Sequence, residues 1–168
     1  MKKLASNTSG SKEFRTPSVF KIRSMDCIFC KIIQGEVPAS KVYEDDDLIA
    51  FMDLFPIHEG HVLVVPKQHY ATLREVPLPL AEKLMRVVVQ LERSIWESGL
   101  TCEGTNILQN NGKAAGQDVH HVHFHVVPRD SGDGFRFKYT ALKPSRAELD
   151  EAAETLRNNL KNQLTETK

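Results

Sequence analysis

The chain has 168 residues, enough for one domain around a single core. Its 22 basic and 22 acidic side chains cancel, so no global field draws it to nucleic acid or an anionic membrane. No apolar run approaches the length of a membrane span, and three cysteines do not make a secreted disulfide framework, so a reducing, cytoplasmic setting is expected.

Residues 1–24 hold six Lys or Arg and one acid, Glu13, among many Ser and Thr. They read as a disordered basic tail, or as a targeting segment that leaves nuclear placement or import open. Residues 25–162 are expected to form the domain and 163–168 to fray. Leu48, Ile49, Ala50, Phe51 and Met52 predict a mostly buried strand, entered from an acidic turn at 44–47. Residues 53–60 form a loop with Pro56 and Gly60, and 61–65 a second apolar strand stopped by Pro66. Leu80, Leu84, Val87, Val88, Leu91 and Ile95 recur at helical intervals, and Gly99 ends that helix.

Residues 105–110 predict a strand leading into a polar loop at 110–117, and 119–127 a strand stopped by Pro128. Ser145 and Glu148 fit a capping box, followed by Leu149, Ala152, Ala153, Leu156 and Leu160 on one helical face. Short antiparallel strands with two main helices make an α+β domain. No repeat and no glycine-rich phosphate loop occurs.

Four of the seven histidines fall between 120 and 125. In HVHFHVV, 121–127, a period of two puts His121, His123 and His125 on one face of a strand, and Val122, Phe124 and Val126 on the other. Three readings compete: a solvated polar face, a metal site, or nucleophilic catalysis on phosphorus. An imidazole of pKa about 6.5 is a good nucleophile near neutrality, and its neighbours can donate to phosphoryl oxygens as charge develops there. Cys27 and Cys30 form a CxxC pair, either two reduced thiols or half of a tetrahedral zinc site.

HVHFHVV matches the pattern His-φ-His-φ-His-φ-φ, with φ apolar. CIFCKII at 27–33, FMD at 51–53, GHVLVVPKQH at 60–69, LQNNG at 108–112 and GQ at 116–117 extend the match from about Cys27 to Pro128. The chain thereby resembles the histidine triad family in its histidine-triad nucleotide-binding branch.

The resemblance implies an antiparallel sheet of about five strands, joined in a homodimer into ten. It implies a hydrolase of purine nucleotide conjugates, cleaving the P–N bond of adenosine 5′-monophosphoramidates. His123 would be the nucleophile, His125 would hold a phosphate oxygen, and the backbone carbonyl of His121 would orient the nucleophilic ring. His61 would buttress the row and Asp53 would take the ribose hydroxyls. Phe29, Val37, Phe51 and Leu54 would line the purine pocket, while Asn110, Gly116 and Gln117 border the phosphate. Structural Zn2+ would sit on Cys27, Cys30, His69 and His121.

Asp118 stands where many relatives have serine. A carboxyl there would protonate a departing amine or repel an anionic one, which leaves leaving-group preference open. Val127 is not the glutamine of the fragile-histidine-triad branch, which argues against dinucleoside polyphosphates. Polyphosphate hydrolysis, nucleotidyl transfer and a zinc-stapled, non-enzymatic nucleotide-binding module are the alternatives. His58, His120 and Cys102 receive no role.

Overall fold

The computed structural model describes residues 26–166. The contacts among them divide the chain into two compact units, one up to Gly134 and one from Phe135 onward. The expected tail at 1–24 lies outside the described residues.

The first unit holds helix α1 (Ile28–Ile33), strands β1 (Lys41–Glu44), β2 (Leu48–Met52) and β3 (Val62–Pro66), helix α2 (Leu78–Glu97), and strands β4 (Gly104–Leu108) and β5 (Phe124–Arg129). The five strands are antiparallel in the order β1-β2-β3-β5-β4. Asp45 makes the β1–β2 turn by accepting from the backbone N–H groups of Asp47 and Leu48, as Asp does where a chain reverses.

Both faces of the central strands are buried, which explains their almost continuous apolar composition. Leu48, Ala50, Val62, Val64, Val122 and Val126 face Leu84, Val87, Val88, Leu91 and Ile95 of α2. Each fully buried Leu or Val there contributes about 2 kcal/mol of apolar transfer. Ile49, Phe51, Leu63 and Val65 alternate to the opposite face and pack against Phe29 and Ile32 of α1. His125 is in register with Leu63, so the functional row shares the α1 face.

Two boundaries differ from expectation. β5 begins at Phe124 rather than Val119 and runs through Pro128 to Arg129. Pro128 is compatible with pairing because its carbonyl, not a missing N–H, is what a strand partner can use. α1 and β1 are additional elements; α1 is only six residues and β1 is largely exposed, so neither carries a clear period.

The second unit carries helix α3 (Arg146–Glu166), helical past residue 163. Its capping box forms as expected: Ser145 Oγ accepts from the Glu148 N–H, and the Glu148 carboxylate accepts from the Ser145 N–H. Leu149, Leu156 and Leu160 are exposed. Among the described residues, no helix is long and apolar enough to cross a membrane.

Candidate active site

The histidine row divides in two. His121 and His123 precede the first residue of β5, and their rings part company. The His121 ring is fully buried and turns toward the cysteines: its Nδ1 lies 3.4 Å from Cys27 Sγ and 3.7 Å from Cys30 Sγ. His123 and His125 stay side by side, with ring centroids 4.9 Å apart. Two imidazoles, not three, therefore stand side by side.

Hydrogen bonds settle which ring nitrogens carry protons. The His121 carbonyl can only accept, so His123 Nδ1, 2.6 Å away, must donate, and His123 Nε2 keeps its lone pair. The Ile57 N–H donates to His61 Nδ1 at 3.2 Å, which places the His61 proton on Nε2. That nitrogen lies 2.9 Å from His125 Nδ1 and donates to it. His125 therefore carries its proton on Nε2, as a donor. One ring is left with a lone pair on Nε2 and its neighbour with an N–H there.

Burial reinforces the assignment. It holds His123 below the ordinary imidazole pKa, against the partial pull of Asp53 and Asp118. Burial, with His123 and His61 close by, takes His125 to about 4. His61 is likewise lowered by burial. All three rings are neutral at pH 7.

Asp53 leaves the end of β2 at the edge of this row. Its backbone N–H donates to the His61 carbonyl at 3.0 Å, and one carboxylate oxygen caps the Phe55 N–H at 3.0 Å. The other oxygen is 3.5 Å from His61 Nε2. Asp53, His61 and His125 are close enough to hold an ion. However, the Ile57 N–H occupies the His61 Nδ1 lone pair and forces the proton onto the nitrogen a metal would need, so the three form a hydrogen-bonded chain.

Beside Asp53 lies an apolar cavity of about 540 Å³, walled by Phe29, Val37, Phe51 and Leu63 and edged by Leu54. That is ample for a small aromatic ligand. The Phe29 ring meets His123 edge-on at 5.2 Å, joining the cavity to the nucleophile. Leu54 is 82% exposed, a lip rather than a wall.

The loop from 110 to 117 is held by its own side chains. Asn110 Nδ2 donates to the Gly116 carbonyl at 3.3 Å, and Gly116 takes a positive φ of 81° that favours glycine. Gln117 is buried and fully committed: Oε1 accepts from the Gly112 N–H at 2.7 Å, and Nε2 donates to the Ala71 carbonyl at 2.8 Å. Its side chain shapes the loop. Asp118 follows it, exposed, close enough for its charge to act on His123 and His125. A second cavity, of about 690 Å³, is lined by Asp118, His120, Cys27 and His69.

Cys27, Cys30, His69 and His121 converge into a group that could hold a metal ion. The fit rests on donor chemistry and spacing. His121 Nε2 donates to the Pro66 carbonyl at 2.8 Å, which leaves Nδ1 as a lone pair facing the thiols. Sulfur-to-nitrogen separations of 3.3, 3.4 and 3.7 Å bracket the ~3.5 Å expected around a tetrahedral ion with Zn–S ~2.3 Å and Zn–N ~2.0 Å. Without a cation, burial and the neighbouring Cys27 push the Cys30 thiol up to about 12.

One participant was invisible in the sequence. His58 bonds Asp130 at 2.9 Å across 72 residues, and no local pattern announces such a pair.

An antiparallel five-stranded sheet with helices, carrying a histidine with a free ring nitrogen beside an apolar cavity, makes this an α+β domain. The profile of the HIT domain matches residues 34–132, and the chain belongs to the HIT domain family. It is 40% identical over 142 residues to the adenosine 5′-monophosphoramidase HNT1 of Candida albicans, covering 80% of this chain and 91% of that protein. Among solved structures it is similar to SMU.412c of Streptococcus mutans (TM-score 0.75, 35% identity, covering 93% and 94% of the two chains). It is also similar to a zinc-bound histidine triad family protein of Mycobacterium smegmatis (TM-score 0.64, 39% identity, 77% and 99%).

Proposed function

We propose that the chain hydrolyses the P–N bond of adenosine 5′-monophosphoramidates through an adenylyl-histidine. The carrying observation is the 2.6 Å bond from His123 Nδ1 to the His121 carbonyl, which leaves Nε2 an unprotonated nucleophile. The purine would enter the cavity beside Phe29, Phe51, Val37 and Leu54, with its ribose hydroxyls on the Asp53 carboxylate. His123 Nε2 then attacks the α-phosphorus as the P–N bond breaks, and the amine leaves with a proton taken from the exposed Asp118 side through water. The His125 Nε2–H donates to the phosphoryl oxygen as negative charge grows there. Water next displaces His123 from phosphorus, gives up its proton by the same route, and releases AMP. Splitting the displacement lowers each barrier. Support also comes from the Candida relative's name.

Cys27, Cys30, His69 and His121 suit Zn2+. Four protein donors would leave the ion no open position, so it would act as a cross-link between α1 and the active strand.

We further propose a homodimer. Leu78, Met85, Val89 and Trp96 form an exposed stripe along α2, beside Ile107 on the edge strand β4. Pairing β4 with its copy would bury that stripe and extend the sheet to ten strands.

The test is turnover of an aryl-amine phosphoramidate of AMP. His123→Ala is expected to lose hydrolysis by at least ~10³-fold while still binding AMP. Wild-type rates in that variant would sink the assignment. Parallel assay with a diadenosine polyphosphate separates the second enzymatic reading, and binding without any turnover would favour a nucleotide-binding module.

A further inference from the structure

The loop between β2 and β3 delivers three things to the site: the Asp53 carboxylate, the Leu54 lip and the Ile57 N–H. The last sets the proton on His61 and through it the proton on His125. What holds this loop is therefore a determinant of the chemistry.

It is pinned to the end of β5 at two points. At the first, Gly60 has φ +85°, and a Cβ there would lie 2.8 Å from Leu100 Cδ1 and 3.1 Å from Pro128 Cγ. At the second, the His58 ring spans two acceptors, the Glu59 carbonyl at 3.0 Å from Nδ1 and Asp130 Oδ2 at 2.9 Å from Nε2. Neither acceptor carries a proton to give, so both ring nitrogens donate and the ring is an imidazolium. The His58 carbonyl in turn accepts from the His61 N–H at 3.1 Å, closing the turn whose Ile57 N–H reaches His61 Nδ1.

We propose that the His58–Asp130 ion pair is a positioning device for catalysis: it fixes the loop against β5, and so keeps His61 donating to His125 and His125 donating to phosphate. The reacting donor and the loop that sets its tautomer sit on opposite sides of this clasp, because His125 belongs to β5 itself. Asp130 is held for the purpose, its other carboxylate oxygen accepting from the Gly132 N–H at 2.6 Å. The charges facing His58 are Asp130 and, farther off, Asp133, which is itself paired with Arg129. With the Glu59 carbonyl first and Asp130 second, these acceptors raise the His58 pKa above its ordinary value. Above that pKa the ring keeps one proton and loses one of its two bonds.

Resting on the phosphoramidase reading, the test combines kinetics with the His125 ring-nitrogen NMR spectrum. His58→Ala and Asp130→Ala are each expected to lower kcat about tenfold or more. The double variant should be no worse than either single one, since the two act as a unit. The His125 spectrum should change from one tautomer to a mixture. His58→Arg, which keeps a permanent charge and several donors, should restore much of kcat and remove the alkaline fall expected of the wild type. Should His58→Ala fail to fold, Asp130→Asn, which keeps the shape, gives the same reading at smaller amplitude. Wild-type kcat and a single His125 tautomer in both His58→Ala and Asp130→Asn would overturn the proposal. Absence of phosphoramidate turnover in the wild type would instead remove the phosphoramidase reading, and the tautomer spectra would still decide on the clasp.

Discussion

His123 and His125 do opposite jobs because their neighbours protonate them at different nitrogens. The same burial that keeps them neutral gives the fold an acid weakness. His125 is held near 4 by burial first, then by His123 and His61, whereas its unfolded value is about 6.5. Above about pH 6.5 both states are neutral and the contribution is complete. As pH falls from about 6.5 toward 4, only the unfolded chain takes up the proton, so stability is lost. Thermal unfolding followed from about pH 6.5 down to 4 is expected to show a falling midpoint. His125→Asn should flatten that decline, and an unchanged slope would show that other groups dominate.

At this scale the alternation in HVHFHVV was legible, because Val122, Phe124 and Val126 are buried opposite the histidines. The departure of the His121 ring was legible only through the cysteines. Gln117, expected to border the phosphate, is also a loop brace, which the sequence did not announce because a buried amide bonds whatever backbone surrounds it.

The elements depend on one another through the Cys–His group. Cys27 caps α1, Cys30 lies within it, His69 follows β3 and His121 precedes β5. An ion there would tie three segments, and the His121 backbone carbonyl would pass that order to the nucleophile. Removing metal with a chelator, or substituting Cys30→Ser, is expected to cost on the order of 3 kcal/mol in chemical denaturation and to lower kcat more than it raises KM. Metal-free protein of full stability would remove the zinc assignment. α2 is held chiefly by its buried face: Leu84→Ala is expected to cost about 2–5 kcal/mol in the same assay, because the side chain is wholly buried. The period of α2 could be read in the sequence since its buried positions recur every three to four residues. α1 could not, because a single turn and a half has no period to show.

For the whole molecule, the first unit leaves an apolar stripe on α2 and an unpaired strand edge side by side. Trp96 is half exposed although its indole N–H is bonded to Glu92 at 2.6 Å, a large apolar side chain held in place at the surface. Val89→Glu with Ile107→Lys is expected to shift sedimentation from dimer to monomer while leaving the fold intact; a wild type that sediments as a monomer would contradict the dimer. Topology was legible as far as the class and four of the five strands; the fifth came only with the family resemblance. The order β1-β2-β3-β5-β4 was not, since β1 is exposed and the pairing of β3 with β5 spans about sixty residues with no local signal.

The most direct measurement is rapid acid-free quenching of the enzyme during turnover of an AMP phosphoramidate, followed by mass spectrometry of its peptides. One adenylyl group should appear on His123, form before AMP is released, and vanish on acid treatment. Full turnover with no label on His123, or a label on another residue, would contradict the account.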